Sequence, residues 1–217
     1  MDAEDGKDDT VEEEEEETEQ EKILEKFHDL LLDSYDTLIL AWRKLLDTSG
    51  DGFVSYKEFV LAITSIDYDG DINKLWFALD DDNTKMITLD EFHKPSGELM
   101  SLFKTWCESF GGVYETFLAI DKTKKSFILF SDWGPVLIEQ GFGKEKDWTP
   151  EERRMNCDIL HRSFDIDNRG FVTIEDVIFL EENYLARRAV TGGVDVQEVQ
   201  RLRENRFKLR EKSTEAF

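Results

Sequence analysis

Four stretches of twelve residues, starting at Asp47, Asp80, Asp121 and Asp165, repeat one frame: aspartate first, Val or Ile eighth, an acid twelfth. This repeat constrains the fold more than any bulk property. A short loop flanked by two helical patterns cannot bury its apolar face alone, so such units are expected in pairs. The first loop, Asp47–Glu58, has the fullest pattern. Asp47, Ser49, Asp51, Ser55 and Glu58 place side-chain oxygens at positions one, three, five, nine and twelve, and Phe53 offers a carbonyl at seven. A hard cation such as Ca²⁺ takes six to eight oxygens at about 2.3–2.6 Å, and this spacing wraps one loop round it. Gly52, sixth, permits a sharp turn with positive φ, and Glu58 can close the shell with both oxygens.

The second loop, Asp80–Glu91, repeats the pattern with Asp80, Asp82, Thr84, the Met86 carbonyl, Thr88 and Glu91, but has Lys85 where glycine is expected. A non-glycine residue at positive φ costs on the order of 1 kcal/mol, so binding there is predicted to be weaker. The third, Asp121–Asp132, has Lys125 fifth, Ser126 sixth and an aspartate in place of the long closing glutamate. Two acids against Lys122, Lys124 and Lys125 leave it net positive, so it reads as a structural relic. In the fourth, Asp165–Asp176, Arg169 displaces the fifth ligand and Asp176 is one methylene short of glutamate. Asp165, Asp167, the Phe171 carbonyl and Asp176 remain as weaker metal candidates, with Mg²⁺ as an alternative occupant.

The intervening sequence supplies helices. Leu24, Phe27, Leu31, Leu38, Trp42, Leu45 and Leu46 predict one amphipathic helix running into the first loop, and Phe59, Val60, Leu61 and Ile63 begin the helix leaving it. Asp67, Asp69 and Asp71 alternate like ligands, but the twelfth residue from Asp67 is Ala78. That stretch therefore reads as a turn with Asp71 or a neighbour capping the next helix, which carries Leu75, Trp76 and Leu79. A helix over roughly 97–110 stops at Gly111-Gly112, and one through Tyr114, Phe117 and Leu118 enters the third loop. Thr149-Pro150-Glu151-Glu152 spells a capping box for the helix through Met155, Ile159, Leu160 and Phe164 that enters the fourth.

These loops and their helical flanks resemble the multi-EF-hand family that includes calmodulin and the sarcoplasmic calcium-binding proteins, over residues 24 to about 185. The resemblance implies an all-α fold of two paired helix–loop–helix lobes, residues 23–94 and 95–186. Each lobe would be joined by a short two-stranded β-link, Val54 with Ile87 and Ile128 with Val172. It also implies Ca²⁺ as the bound ion.

Outside this frame the chain is strongly charged. The net charge is −23, but thirteen carboxylates and a single lysine lie within residues 1–21. Residues 1–22 read as a disordered acidic tail. Residues 187–217, with eight bases and five acids, read as a basic helix or tail that is solvated, with docking on the acidic body or on a partner as the alternative. The acidic balance argues against nucleic acid and anionic membranes and favours cations or a basic protein partner. No apolar run is long enough to span a bilayer. Cys107 and Cys157 read as reduced core residues of a cytoplasmic protein.

An enzyme is not expected. His28, His93 and His161 lie apart and read as surface or helix residues, and neither Gly111-Gly112 nor Gly141-Phe142-Gly143 has a phosphate-loop context. Four methionines against sixteen phenylalanines and five tryptophans favour a specific groove or a closed core over the Met-rich surface of a promiscuous sensor. The expected function is a Ca²⁺-responsive interaction protein whose N-terminal pair binds the ion while the C-terminal pair is largely structural. The alternatives are a Ca²⁺ buffer and a structural subunit of a larger, cytoskeleton-like assembly.

Overall fold

Thr18 opens the fold: its hydroxyl accepts from the Glu21 N–H while the Glu21 carboxylate receives the Thr18 N–H, a reciprocal cap that starts α1 (Glu19–Leu32). The computed structural model describes residues 18–180, so the expectations for 1–17 and for the basic stretch 187–217 lie outside the described residues. The helix begins at Glu19 rather than at Ile23, because the end of the acidic run supplies both cap and first turn. Gln20 donates to the Ala78 carbonyl at 3.0 Å and ties this turn down.

The expected single helix into the first loop is broken. After α1 the chain turns through Asp33–Asp36, and Thr37, accepting from the Leu40 N–H, caps a new short helix, α2 (Leu38–Ala41). Side chains that bond the nearby backbone offer it an alternative to helix, and the run Asp33-Ser34-Tyr35-Asp36-Thr37 is rich in them. A π-helical turn, Trp42–Leu46, then delivers the chain to Asp47.

From there the elements are β1 (Val54–Ser55), α3 (Tyr56–Thr64), α4 (Ile72–Leu79), β2 (Met86–Ile87), α5 (Leu89–Phe92) and α6 (Lys94–Glu108). They continue with α7 (Val113–Ile120), β3 (Phe127–Leu129), α8 (Phe130–Glu139), α9 (Pro150–Phe164), β4 (Phe171–Thr173) and α10 (Ile174–Val177). The described chain is thus mostly helical with two small antiparallel sheets. Val54 stands opposite Ile87 in one, and Ile128 opposite Val172 in the other. Asp71 caps α4 by accepting from the Asn73 and Lys74 N–H groups, and Thr149 and Glu152 form the predicted box at α9. The helix expected over 97–110 runs from Lys94 to Glu108, with Pro95 in its first turn. Gly97 lets it lie against α5, since a Cβ there would meet Asp90 Oδ1 at 2.2 Å.

The core is aromatic. In the N-terminal half Phe27 meets Phe59 and Phe92 edge-on, and in the C-terminal half Phe103 packs with Trp133, Phe142 and Phe164. Such pairs add about 0.5–1.5 kcal/mol each beyond area burial. The two halves share one continuous buried cluster, from Phe27 to Leu180, because α2 packs on α9. Cys107 and Cys157 are buried within it and form no disulfide. Among the described residues no helix is long and apolar enough to cross a membrane.

Candidate metal centre

The four loops share a backbone as well as a sequence frame. Position six is left-handed in all of them: φ is 85° at Gly52, 68° at Lys85, 65° at Ser126 and 80° at Gly170. Position four is left-handed too, at Gly50, Asn83, Lys124 and Asn168, with φ between 51° and 68°. Lys85 therefore adopts the strained conformation its position demands. The sixth N–H donates to the first aspartate in every case: Gly52 to Asp47 at 2.9 Å, Lys85 to Asp80 at 3.2 Å, Ser126 to Asp121 at 2.7 Å and Gly170 to Asp165 at 2.7 Å. These four aspartates are buried, anchored by the loops' own N–H groups rather than lost to solvent.

At the other end of three loops, positions nine and twelve cap the exiting helix. Ser55 N–H and Oγ both donate to one oxygen of Glu58, Thr88 does the same to Glu91, and Thr173 to Asp176. Each twelfth carboxylate so keeps its second oxygen for another task. In the third loop Leu129 occupies the ninth position and caps nothing, and Asp132 stays exposed, with only a Ser131 hydroxyl at 3.3 Å among its hydrogen-bond donors. The missing hydroxyl at Leu129 was the overlooked signal that this loop closes on nothing.

The second loop brings its acids together. Among the described residues, the three acidic side chains that converge are Asp80, Asp82 and Glu91, each offering an oxygen within 4.8 Å of the others. Glu91 Oε1 is buried with no hydrogen-bond partner, while Oε2 is held by Thr88. Burial raises the Glu91 carboxyl above the usual carboxylate range, and the neighbouring Asp82 charge adds to the rise despite the opposing Thr88 hydrogen bonds. Asp82, exposed, is held low by the Thr84 N–H, which it accepts at 3.0 Å. A buried, unpartnered oxygen facing two like charges is costly unless a cation sits among them. The donor set, all oxygen, suits Ca²⁺ or Mg²⁺. Two predicted ligands turn to each other: the Thr84 hydroxyl donates to the Met86 carbonyl at 3.0 Å.

The first loop, richest in sequence, is looser. Asp47 receives the Asp51 N–H at 3.1 Å and the Ser49 hydroxyl at 3.3 Å, and Asp51 accepts the Phe53 N–H at 3.0 Å. Burial pushes the Asp47 carboxyl up, with the Asp51 charge in support and the Gly52 N–H opposing. Burial also raises Glu58, but the Ser55 N–H and hydroxyl, helped by Ser49, outweigh it and hold it low. All six predicted ligands line one loop, but the tight convergence of three acids is found in the second.

In the fourth loop Arg169 lies across the space a cation would take. Its guanidinium is bonded to Asp176 Oδ2 and lies 3.7 Å from Asp165 Oδ1, with both carboxylates 4% exposed. Asp165 and Asp176 are thus neutralised from within. Asp167 remains exposed, and Phe171 lies in β4 with its ring under the Arg169 guanidinium.

His28 and His161 lie on helices, as expected, and His93 lies between α5 and α6, but none is a free surface group. His161 is buried against Phe130 and Trp133, and His28 and His93 stand with ring centroids 5.2 Å apart. Burial lowers all three, His93 to about 4.

No protein-family model matches the sequence, and no curated protein matches it.

Proposed function

We propose that this is an EF-hand protein in which the N-terminal pair of loops binds Ca²⁺ and the C-terminal pair serves as a metal-independent scaffold. Ca²⁺ uptake is then the signal for an intracellular interaction with a protein partner. The observation that carries the reading is Glu91 Oε1, buried without a partner beside Asp80 and Asp82. A bound ion supplies the missing partner and removes the repulsion among the three acids. Asp80, Asp82 and Glu91 are the principal ligands, with Thr84, Met86 and Thr88 completing the second loop. Asp47, Ser49, Asp51, Phe53, Ser55 and Glu58 hold a second ion once their loop contracts.

Calorimetric Ca²⁺ titration with tryptophan fluorescence, with and without millimolar Mg²⁺, tests this. Trp76 precedes the second loop and Trp42 the first, so a sensor takes up about two ions with a change in emission. Loss of one binding event in Glu91→Gln and another in Glu58→Gln assigns the ions. Heat without a spectral change identifies a buffer. An absence of heat leaves the second reading, a structural subunit, which the guanidinium of Arg169 and the lysines of the third loop favour.

A further inference from the structure

Of the four segments that deliver a first-position aspartate, one is wound differently. Asp80, Asp121 and Asp165 donate their N–H to the residue four back: Trp76, Phe117 and His161. Asp47 donates to Trp42, five back, at 2.8 Å. The turn before the first loop therefore contains one residue more than an α-turn holds. Such π-turns are rare and are frequently found at functional sites.

Two side chains of this widened turn reach into the C-terminal half. Arg43 donates to the carbonyl of Ser163 at 2.6 Å and of Asp176 at 3.3 Å, and its guanidinium lies 3.7 Å over the ring of Phe179. Lys44 donates to the Ile166 carbonyl at 3.1 Å. Beside them Thr37 and Ser163 share a buried hydroxyl–hydroxyl bond at 2.9 Å. The acceptors belong to the last turn of α9 and to the fourth loop, where carbonyls lack intrahelical partners and cations are favoured. Asp176 is gripped twice, by Arg43 on its carbonyl and by Arg169 on its carboxylate.

Closing the first loop on a cation requires movement, since its acids do not converge as those of the second loop do. Val54 is fixed by pairing with Ile87, so the shift falls on the loop's ends. The π-turn has the spare residue to absorb it.

We infer that Arg43 couples cation binding in the first loop to the C-terminal half, the Trp42–Leu46 turn rewinding on binding and carrying the Ser163–Phe179 backbone with it. The inference rests on the cation reading of the first loop. Because the clamp holds the unrewound turn, releasing it favours binding, and reciprocity requires the C-terminal half to feel the ion in turn.

The test is a Ca²⁺ titration of the full chain, read by calorimetry and by backbone amide NMR, for wild type, Arg43→Met and Arg43→Lys. In the wild type, amides of Ser163–Phe179 shift with the binding event that Glu58→Gln removes. In Arg43→Met that event persists, about fivefold tighter, and the distant shifts vanish. Arg43→Lys, which keeps the charge but grips fewer carbonyls, lies between and replaces Arg43→Met if the latter loses its native spectrum. Binding at the first loop with unmoved Ser163–Phe179 amides, or with the same shifts and affinity in the variants, overturns the coupling and leaves the cation reading intact. A wild type whose heats Glu58→Gln does not alter overturns the first-loop reading itself and the coupling with it.

Discussion

The second and fourth loops have nearly the same backbone and solve the same electrostatic problem in opposite ways. Both hold positions four and six left-handed, both seat a buried first aspartate on the sixth N–H, and both close with a ninth-position threonine on a twelfth-position acid. In the second loop the acids are left facing one another with an oxygen unpartnered. In the fourth, Arg169 enters the ring and neutralises it. The frame is thus built by hydrogen bonds that need no ion, and what differs is where the positive charge comes from.

The comparison breaks most sharply at Arg169. Arg169→Met leaves Asp165 and Asp176 buried together, and removing one partner of a buried ion pair costs about 3–5 kcal/mol. A lower Tm by calorimetry is expected, partly restored by Ca²⁺ or Mg²⁺ because the vacated ring then resembles the second loop. Next in size is Glu91→Gln, which removes a charge and the free oxygen. Ca²⁺ affinity at that loop should fall on the order of 100-fold, about 2.7 kcal/mol, while the same titration of Asp176→Asn shows no change.

Acid should also weaken the fold through its buried histidines, His93 most of all. His28 and His93 are adjacent in the N-terminal half, and burial holds both below the ordinary histidine value. The unfolded chain takes up protons near pH 6.5, whereas folded His93 resists until about 4. The unfolded state therefore binds more protons across that window, and stability falls as pH drops through it. Denaturant melts from pH 7 to 4 should show a shallower decline in His93→Gln than in wild type.

The smallest effect is expected at Lys85. Lys85→Gly removes the cost of a positive φ, about 1 kcal/mol, and a like charge beside the ion. Because the ion-free loop already holds Lys85 at a φ of 68°, the relief should appear as a Tm higher by about 2–4 °C, with Ca²⁺ affinity rising only by what the lost like charge contributes.

Much of this was legible in the chain. The Asp71 cap and the Thr149–Glu152 box follow from local chemistry, where spacing alone decides the bond, while the eighth-position pairs follow from the family resemblance. The break at Asp33–Thr37 was not, because Leu31, Leu38 and Trp42 lie on one helical face whether or not the helix continues. Ligand counting ranked the first loop above the second, whereas the converged acids lie in the second. Convergence depends on how far each flanking segment is wound, and a π-turn leaves no mark in composition. Arg169 was visible as a lost ligand, but its second role, supplying the charge, required knowing that its side chain folds back on Asp176.

The shared core has a further consequence for how the chain can be divided. A cut at residue 94 falls between two helical pairs, where the repeat suggests a clean seam. It would nevertheless strip α9 from α2, expose the face of Leu38 and Ala41 to water, and leave Thr37 without Ser163. Neither half inherits a finished surface. The repeat that makes the sequence look modular is joined, in three dimensions, through one buried cluster into one unit of unfolding.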